Sequence, residues 1–211
     1  LGAHVGDAPA RVEANRARLQ QVAGIPGTLN WLNQVHGIAV HPVSDRYERV
    51  PDADAACAHE AGQACIVMTA DCLPVLFCDR AGTVVAAAHA GWRGLQGGVL
   101  EASIAAMGCE PGEILAWLGP AIGPAAFEVG GEVRDAFMAE QAEAATAFVS
   151  SLNEGKWLAD IYQLARLRLA RAGVTAIYGG EYCTFSDSER FYSYRRDGQT
   201  GRMASLVWLE K

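Results

Sequence analysis

The 211 residues are 51% apolar and 19% charged, the balance of a globular chain able to bury one substantial core. A formal charge of −7 repels a phosphate backbone and argues against nucleic acid as a partner, and no apolar run approaches the ~18 residues needed to cross a membrane, so no membrane partner is expected. Six cysteines, at 57, 65, 72, 78, 109 and 183, lack the dense spacing of a disulfide scaffold, and reduced thiols in a cytoplasmic compartment are expected.

In chain order, RVEANRARLQQVAG (11–24) places Val12, Leu19 and Val22 on a polar background and ends at a glycine, predicting a surface helix. TLNWLNQVHGIAVHPV (28–43) alternates around a glycine and predicts strand, turn and strand. ACIVMTADCLPVLFCD (64–79) and GTVVAAAHAG (82–91) contain three short apolar runs divided by turn residues, the expected central sheet. GLQGGVLEASIAAMG (94–108) has helical spacing despite its glycines, and EILAWLGPAIGP (113–124) predicts a strand stopped by Gly-Pro pairs. Helices are predicted over 131–149 and 156–173, and strands over 174–180, 190–196 and 202–210. With no repeat or linker, a single α+β domain over 1–211 is expected.

The chemistry-bearing residues are few. Of five histidines (4, 36, 41, 59 and 89), His36 in NQVHG and His89 in AAAHAG each follow an apolar run and precede a glycine, where backbone can approach a ligand closely. Cys72 sits in TADCLPVLFCD, where Pro74 interrupts ladder donation. Spacing alone gives no metal motif, and on the residues alone the simpler reading prevails: each histidine is locally hydrogen-bonded and Cys72 is one of several core thiols.

Longer motifs change that balance. NQVHG, ADCLPVLFCD, AAAHAGWRGL, LGPAIGPAAFEVG, WLADIYQLARLRL and CTFSDSERFYSYRRDGQTGRMASLVWL together resemble the bacterial laccase-domain family, the YfiH-type polyphenol oxidase or purine nucleoside phosphorylase group, over residues 2 to 209. The resemblance implies a sandwich of mixed β-sheets with flanking helices in α/β/β/α layers. It implies a catalytic metal, described as zinc, on His36, Cys72 and His89. It also implies phosphorolysis of purine nucleosides (adenosine, inosine, guanosine, S-methyl-5′-thioadenosine), deamination of adenosine, and a segment upstream of Leu1 that forms part of the pocket wall. Many relatives carry a cysteine where this chain has Ala125 and Ala126, so a thiol there is not required.

Two imidazoles and one thiolate suit zinc, leaving a fourth position open for water or substrate. Phosphate needs donors: Arg93, beside a predicted helix start, is the first candidate, while Arg195, Arg196 and Arg202 read first as a solvated basic face. Trp92, Tyr192 and Tyr194 offer aromatic faces to a purine or to the core. Asp71 neighbours a ligand in sequence, but adjacent strand residues point to opposite faces, so it ranks low as an acid or base. Three other readings compete: a copper polyphenol oxidase, since copper(II) outcompetes zinc on the usual affinity order; a Cys72–His89 hydrolase or amidase acting on a cell-wall precursor; and a metal-dependent binding protein. Five histidines without a His-X-His pair do not supply a trinuclear copper cluster.

Overall fold

The computed structural model describes residues 1–25, 27, 29–44 and 49–210. The chain passes through α1 (Pro9–Ala23), β1 (Val40–Pro42), β2 (Ala55–Ala58), β3 (Ala64–Thr69), β4 (Leu73–Asp79) and β5 (Val85–Ala90). Two short helices follow, α2 (Trp92–Gly97) and α3 (Val99–Met107), then β6 (Ile114–Leu118), β7 (Glu128–Gly130), α4 (Gly131–Glu140), β8 (Phe148–Ser150) and β9 (Lys156–Ala159). The last elements are α5 (Ile161–Arg171), β10 (Ala176–Gly179), the single turn α6 (Tyr194–Asp197) and β11 (Met203–Trp208).

Runs of alanine and valine without polar interruption make strands that can be covered on both faces. They form a six-stranded mixed sheet in the order β1-β2-β5-β4-β6-β10, in which β4 and β5 pair antiparallel at the centre. Alternation then sorts the side chains. Ala86, Ala88 and Ala90 of β5 and Leu73, Val75 and Phe77 of β4 face a core shared with α3, α4 and α5. Val85 and Ala87, with Leu76 and Cys78, face Cys65 and Val67 of the antiparallel pair β3–β11. On the far side of that pair, Leu19 of α1 and Ile25 pack against Ala64, Leu206 and Trp208. The layers are thus helix, sheet, sheet, helix, as the resemblance implies. A smaller antiparallel sheet, β7-β9-β8, lies beside α4. Each fully buried side chain such as Phe77 or Leu100 contributes on the order of 2–3 kcal/mol of burial free energy.

Several local expectations differ. Residues 29–39 make only isolated bridges, Leu29 with Ala64 and Asn33 with Asp52, so β1 is the single regular strand there; Thr28 lies outside the described residues. The helix expected over 94–108 begins at Trp92 and breaks at Gly98, which adopts φ +105°. The helix expected over 131–149 ends at Glu140 and passes through a 3₁₀ turn into β8; alanine-rich composition hid the change of period. Residues 156–159 form β9, and the Asp160 side chain caps α5 by accepting from the Gln163 N–H. The segment 190–196 is not a strand, because the Ser193 side chain caps a single helical turn there.

Candidate metal centre and cavity

The pairing register places the site. Pro74 of β4 lies opposite His89 of β5, and Leu73 lies opposite Ala90, so Cys72 arrives one step beyond the last pair. On the other flank β2 runs antiparallel to β5 with Ala55 opposite Ala88, and the His89 N–H donates to the Asp54 carbonyl at 2.7 Å. His89 shares by alternation the face covered by β3–β11, but that covering pair stops at Thr69 and Met203. The uncovered end of the face is the floor of a cavity of about 450 Å³ whose lining includes His36, Cys72 and His89.

NQVHG is built into this end residue by residue. Asn33 exchanges backbone hydrogen bonds with 51–53 and donates from its amide to Asp52 at 2.7 Å. The Gln34 amide both donates to the Met68 carbonyl (2.8 Å) and accepts from the Met68 N–H (2.7 Å), continuing the edge of β3. His36 adopts φ +59°, a left-handed conformation that few non-glycine residues take. The Val35, His36 and Gly37 N–H groups all donate to the Asp54 carboxylate, at 3.1, 2.9 and 2.7 Å. The same carboxylate accepts from His89 Nδ1 at 2.8 Å, and Asp54 is fully buried.

Cys72 is held differently. The turn from β3 into β4 passes through Asp71 at φ +92°, so the residues around Cys72 leave regular pairing, as the sequence predicts, while Pro74 itself sits within β4. The Asp71 carboxylate accepts from Thr184 Oγ1 (2.6 Å), Ser193 Oγ (3.0 Å) and the Arg195 N–H (2.6 Å). With three donors it is a structural anchor; it lies in the turn rather than in a strand, so strand alternation does not send it away from Cys72, and both residues line the same cavity.

The His36, Cys72 and His89 ligand atoms lie within 4.8 Å of one another, the one group of this kind among the described residues. The His36 and His89 rings meet edge-on at 4.8 Å between centres. Burial alone would lower the His89 pKa, but the neighbouring Cys72 side chain and the Asp54 carboxylate outweigh it and hold it up to about 9. Burial likewise opposes ionisation of Asp54, yet His89 and the Gly37 and Val35 N–H groups keep its carboxyl below the usual carboxylate range. Partial burial, with His89, Arg93 and Arg202 nearby, pushes His36 down despite the pull of Asp54, favouring the neutral imidazole a metal requires. Space for an ion is preserved by Gly91: a Cβ there would stand 2.7 Å from His36 Nδ1 and 3.1 Å from Cys72 Sγ. Two imidazoles, a thiolate and an unfilled volume between them fit a transition metal.

Around this centre the wall divides by chemistry. Met68, Ile122, Phe127 and Ile161 make it apolar on one side, and Arg93, Arg195 and Arg202 bring three guanidinium groups to the same cavity. Arg93 lies over Trp92, 4.4 Å from the ring centre. Arg195 donates to the Glu128 carbonyl and Arg202 to the Thr200 and Gly201 carbonyls; among the described residues no carboxylate pairs with any of the three. Arg196 is excluded, being bound to Asp197 and to the Thr184, Phe185 and Phe191 carbonyls. Helix α2 is six residues long, so charge near Arg93 comes from its guanidinium rather than from a helix terminus. Trp92 and Tyr194 line the cavity, and Tyr192 lines a separate one. Sequence reasoning passed over His4 and Gln34 on the wall, and Asp54 beneath it. The signal for Asp54 was a charged residue abutting a run of small apolar ones, which burial makes tolerable only with partners.

This fold and site define a laccase-type domain. Residues 1–210 match the family described as multi-copper polyphenol oxidoreductase laccase, and the chain belongs to that family. It is 61% identical over 210 residues to the purine nucleoside phosphorylase PA4543 of Pseudomonas aeruginosa, covering 100% of this chain and 85% of that protein. It is 58% identical over 209 residues to the purine nucleoside phosphorylase YfiH of Escherichia coli, covering 99% and 85%. The crystal structure of Neisseria meningitidis protein NMB0706 superposes with a TM-score of 0.95 at 57% identity, covering 100% of this chain and 86% of that one. That of YlmD from Geobacillus stearothermophilus gives 0.92 at 32%, covering 100% and 84%. The family's description speaks of several coppers, whereas this chain brings together two histidines and one cysteine, a donor set for a single ion. Among the described residues no helix is long and apolar enough to cross a membrane.

Proposed function

We propose that the protein is a zinc-dependent purine nucleoside phosphorylase acting on adenosine, inosine, guanosine and S-methyl-5′-thioadenosine, with adenosine deamination as a second activity of the same site. The observation that carries this reading is the meeting, in one cavity, of the His36–Cys72–His89 group with three arginines that have no carboxylate partner among the described residues. The names of the Pseudomonas and Escherichia relatives support it.

His36, Cys72 and His89 would hold the ion, which when bound supplies Lewis acidity at the reacting end of the cavity. Arg93, Arg195 and Arg202 bind and orient phosphate through charge-assisted hydrogen bonds. Trp92 and Tyr194 offer faces for the purine, and the Ile122–Phe127–Ile161 wall excludes water from the ribose. In phosphorolysis a phosphate oxygen forms the bond to C1′ as the C1′–N9 bond breaks. The electron pair leaves with the purine, which takes up a proton.

The test is incubation of metal-assayed protein with adenosine, with and without phosphate. Adenine and ribose 1-phosphate formed only with phosphate are expected, accompanied by inosine from the deaminase activity. Neither product, or full turnover by protein free of metal, overturns the reading. His89→Ala is expected to lose its metal and lower kcat about 1,000-fold, equivalent to roughly 4 kcal/mol of barrier.

A further inference from the structure

A buried carboxylate costs several kcal/mol unless donors surround it, and Asp54, at 0% exposure, has four. Three are the successive N–H groups of residues 35–37, wrapped around the carboxylate as a nest. The middle residue of that nest is His36, whose left-handed backbone costs on the order of 1–3 kcal/mol and persists only where surrounding contacts impose it. The fourth donor is His89 Nδ1. An ionised carboxylate only accepts, so Nδ1 carries the hydrogen and Nε2 is left as the ligand nitrogen.

We propose that Asp54 is the positioning residue of the metal centre: one carboxylate both holds the His36 turn in its left-handed form and fixes His89 to present Nε2. It touches neither substrate nor ion, and it acts through the two histidines. This inference rests on the reading of His36, Cys72 and His89 as ligands. Asp54 and His89 are brought together by the β2–β5 register, and the 35–37 turn is brought to them by the Gln34–Met68 pairing. Gly94 allows the approach from below, since a Cβ there would stand 2.8 Å from the Gly37 carbonyl oxygen.

Asp54→Asn conserves size but supplies one accepting atom and one donating group where the native residue supplies two acceptors. It cannot satisfy both the nest and His89 Nδ1–H. The test titrates Co²⁺ into the full chain and follows the cobalt–thiolate absorption, with folding checked by circular dichroism. The unaltered protein is expected to give that absorption, and folded Asp54→Asn to bind Co²⁺ about 10–100-fold more weakly with an altered spectrum. A folded variant with unchanged affinity and spectrum overturns the role of Asp54 and leaves the ligand reading standing. Failure of the unaltered protein to show a cobalt–thiolate band overturns both. Should Asp54→Asn not fold, histidine ¹⁵N shifts of the unaltered zinc-loaded protein decide: a protonated Nδ1 on His89 is expected, and ligation through Nδ1 overturns the proposal.

Discussion

Two buried aspartates secure the segments around the cavity, and they do so with different partners. Asp54 is enclosed by backbone N–H groups from the His36 turn and by His89, so its hydrogen bonds serve the proposed metal centre. Asp71 is enclosed by two hydroxyls and one N–H from the 184–195 segment, so it clamps a distant part of the chain, and with it Arg195, against the Cys72 turn. On the proposed function, the difference separates two tasks within one pocket: Asp54 presets the geometry of the proposed ligands, and Asp71 assembles the wall that carries Arg195.

The contrast can be broken at its centre first. Gly91 has φ −62° and ψ 155°, which alanine adopts without strain, so the effect of Gly91→Ala is purely that of a methyl group placed among the ligands. It is expected to retain the fold and to lose metal and activity by about 100-fold, as displacement of a reacting group by about an ångström does; metal analysis beside circular dichroism checks it. Asp71→Ala sharpens the other side. It leaves the Thr184 and Ser193 hydroxyls and the Arg195 N–H without their acceptor, and about 3 kcal/mol of stability is expected to go, or about 6–12 °C in Tm. Its loss of cobalt affinity should be smaller than that of Asp54→Asn; the reverse order would mean that the two aspartates do not divide the work as described. The smallest effect is expected for Arg202→Met, which removes one of three guanidiniums: KM for phosphate rises about 10-fold with kcat within about twofold, read by steady-state kinetics. Unchanged KM for phosphate would remove Arg202 from the anion wall.

Much of the site was legible, but through motifs rather than through local physics. His36, Cys72 and His89 came from long matching phrases, and Arg93 alone from the donor chemistry that an anion requires; the structure brings the first three together and sets Arg93 on the same cavity wall. Arg195 and Arg202 read first as a solvated face, and Arg195 is exposed; what no local pattern shows is that both also line the cavity that holds His36, Cys72 and His89. Asp54 went unread because its meaning lies in a pairing with a strand more than thirty residues away. The break at Gly98 and the change from α4 through a 3₁₀ turn to β8 were missed for another reason: alanine and glycine carry too little side chain to mark a change of period.

By itself the sequence determined the central strands, since apolar runs of strand length between turn residues favour buried ladders over helices, and it determined the mixed α+β class. It also determined that a thiol and a histidine lie at strand ends beside Pro74 and Gly91. Only the tertiary structure decided which face they share, that β3–β11 stops short of them, and that one carboxylate ties His36 to His89. Alternation sets the face of each residue relative to its own strand, but register and coverage depend on contacts between distant segments.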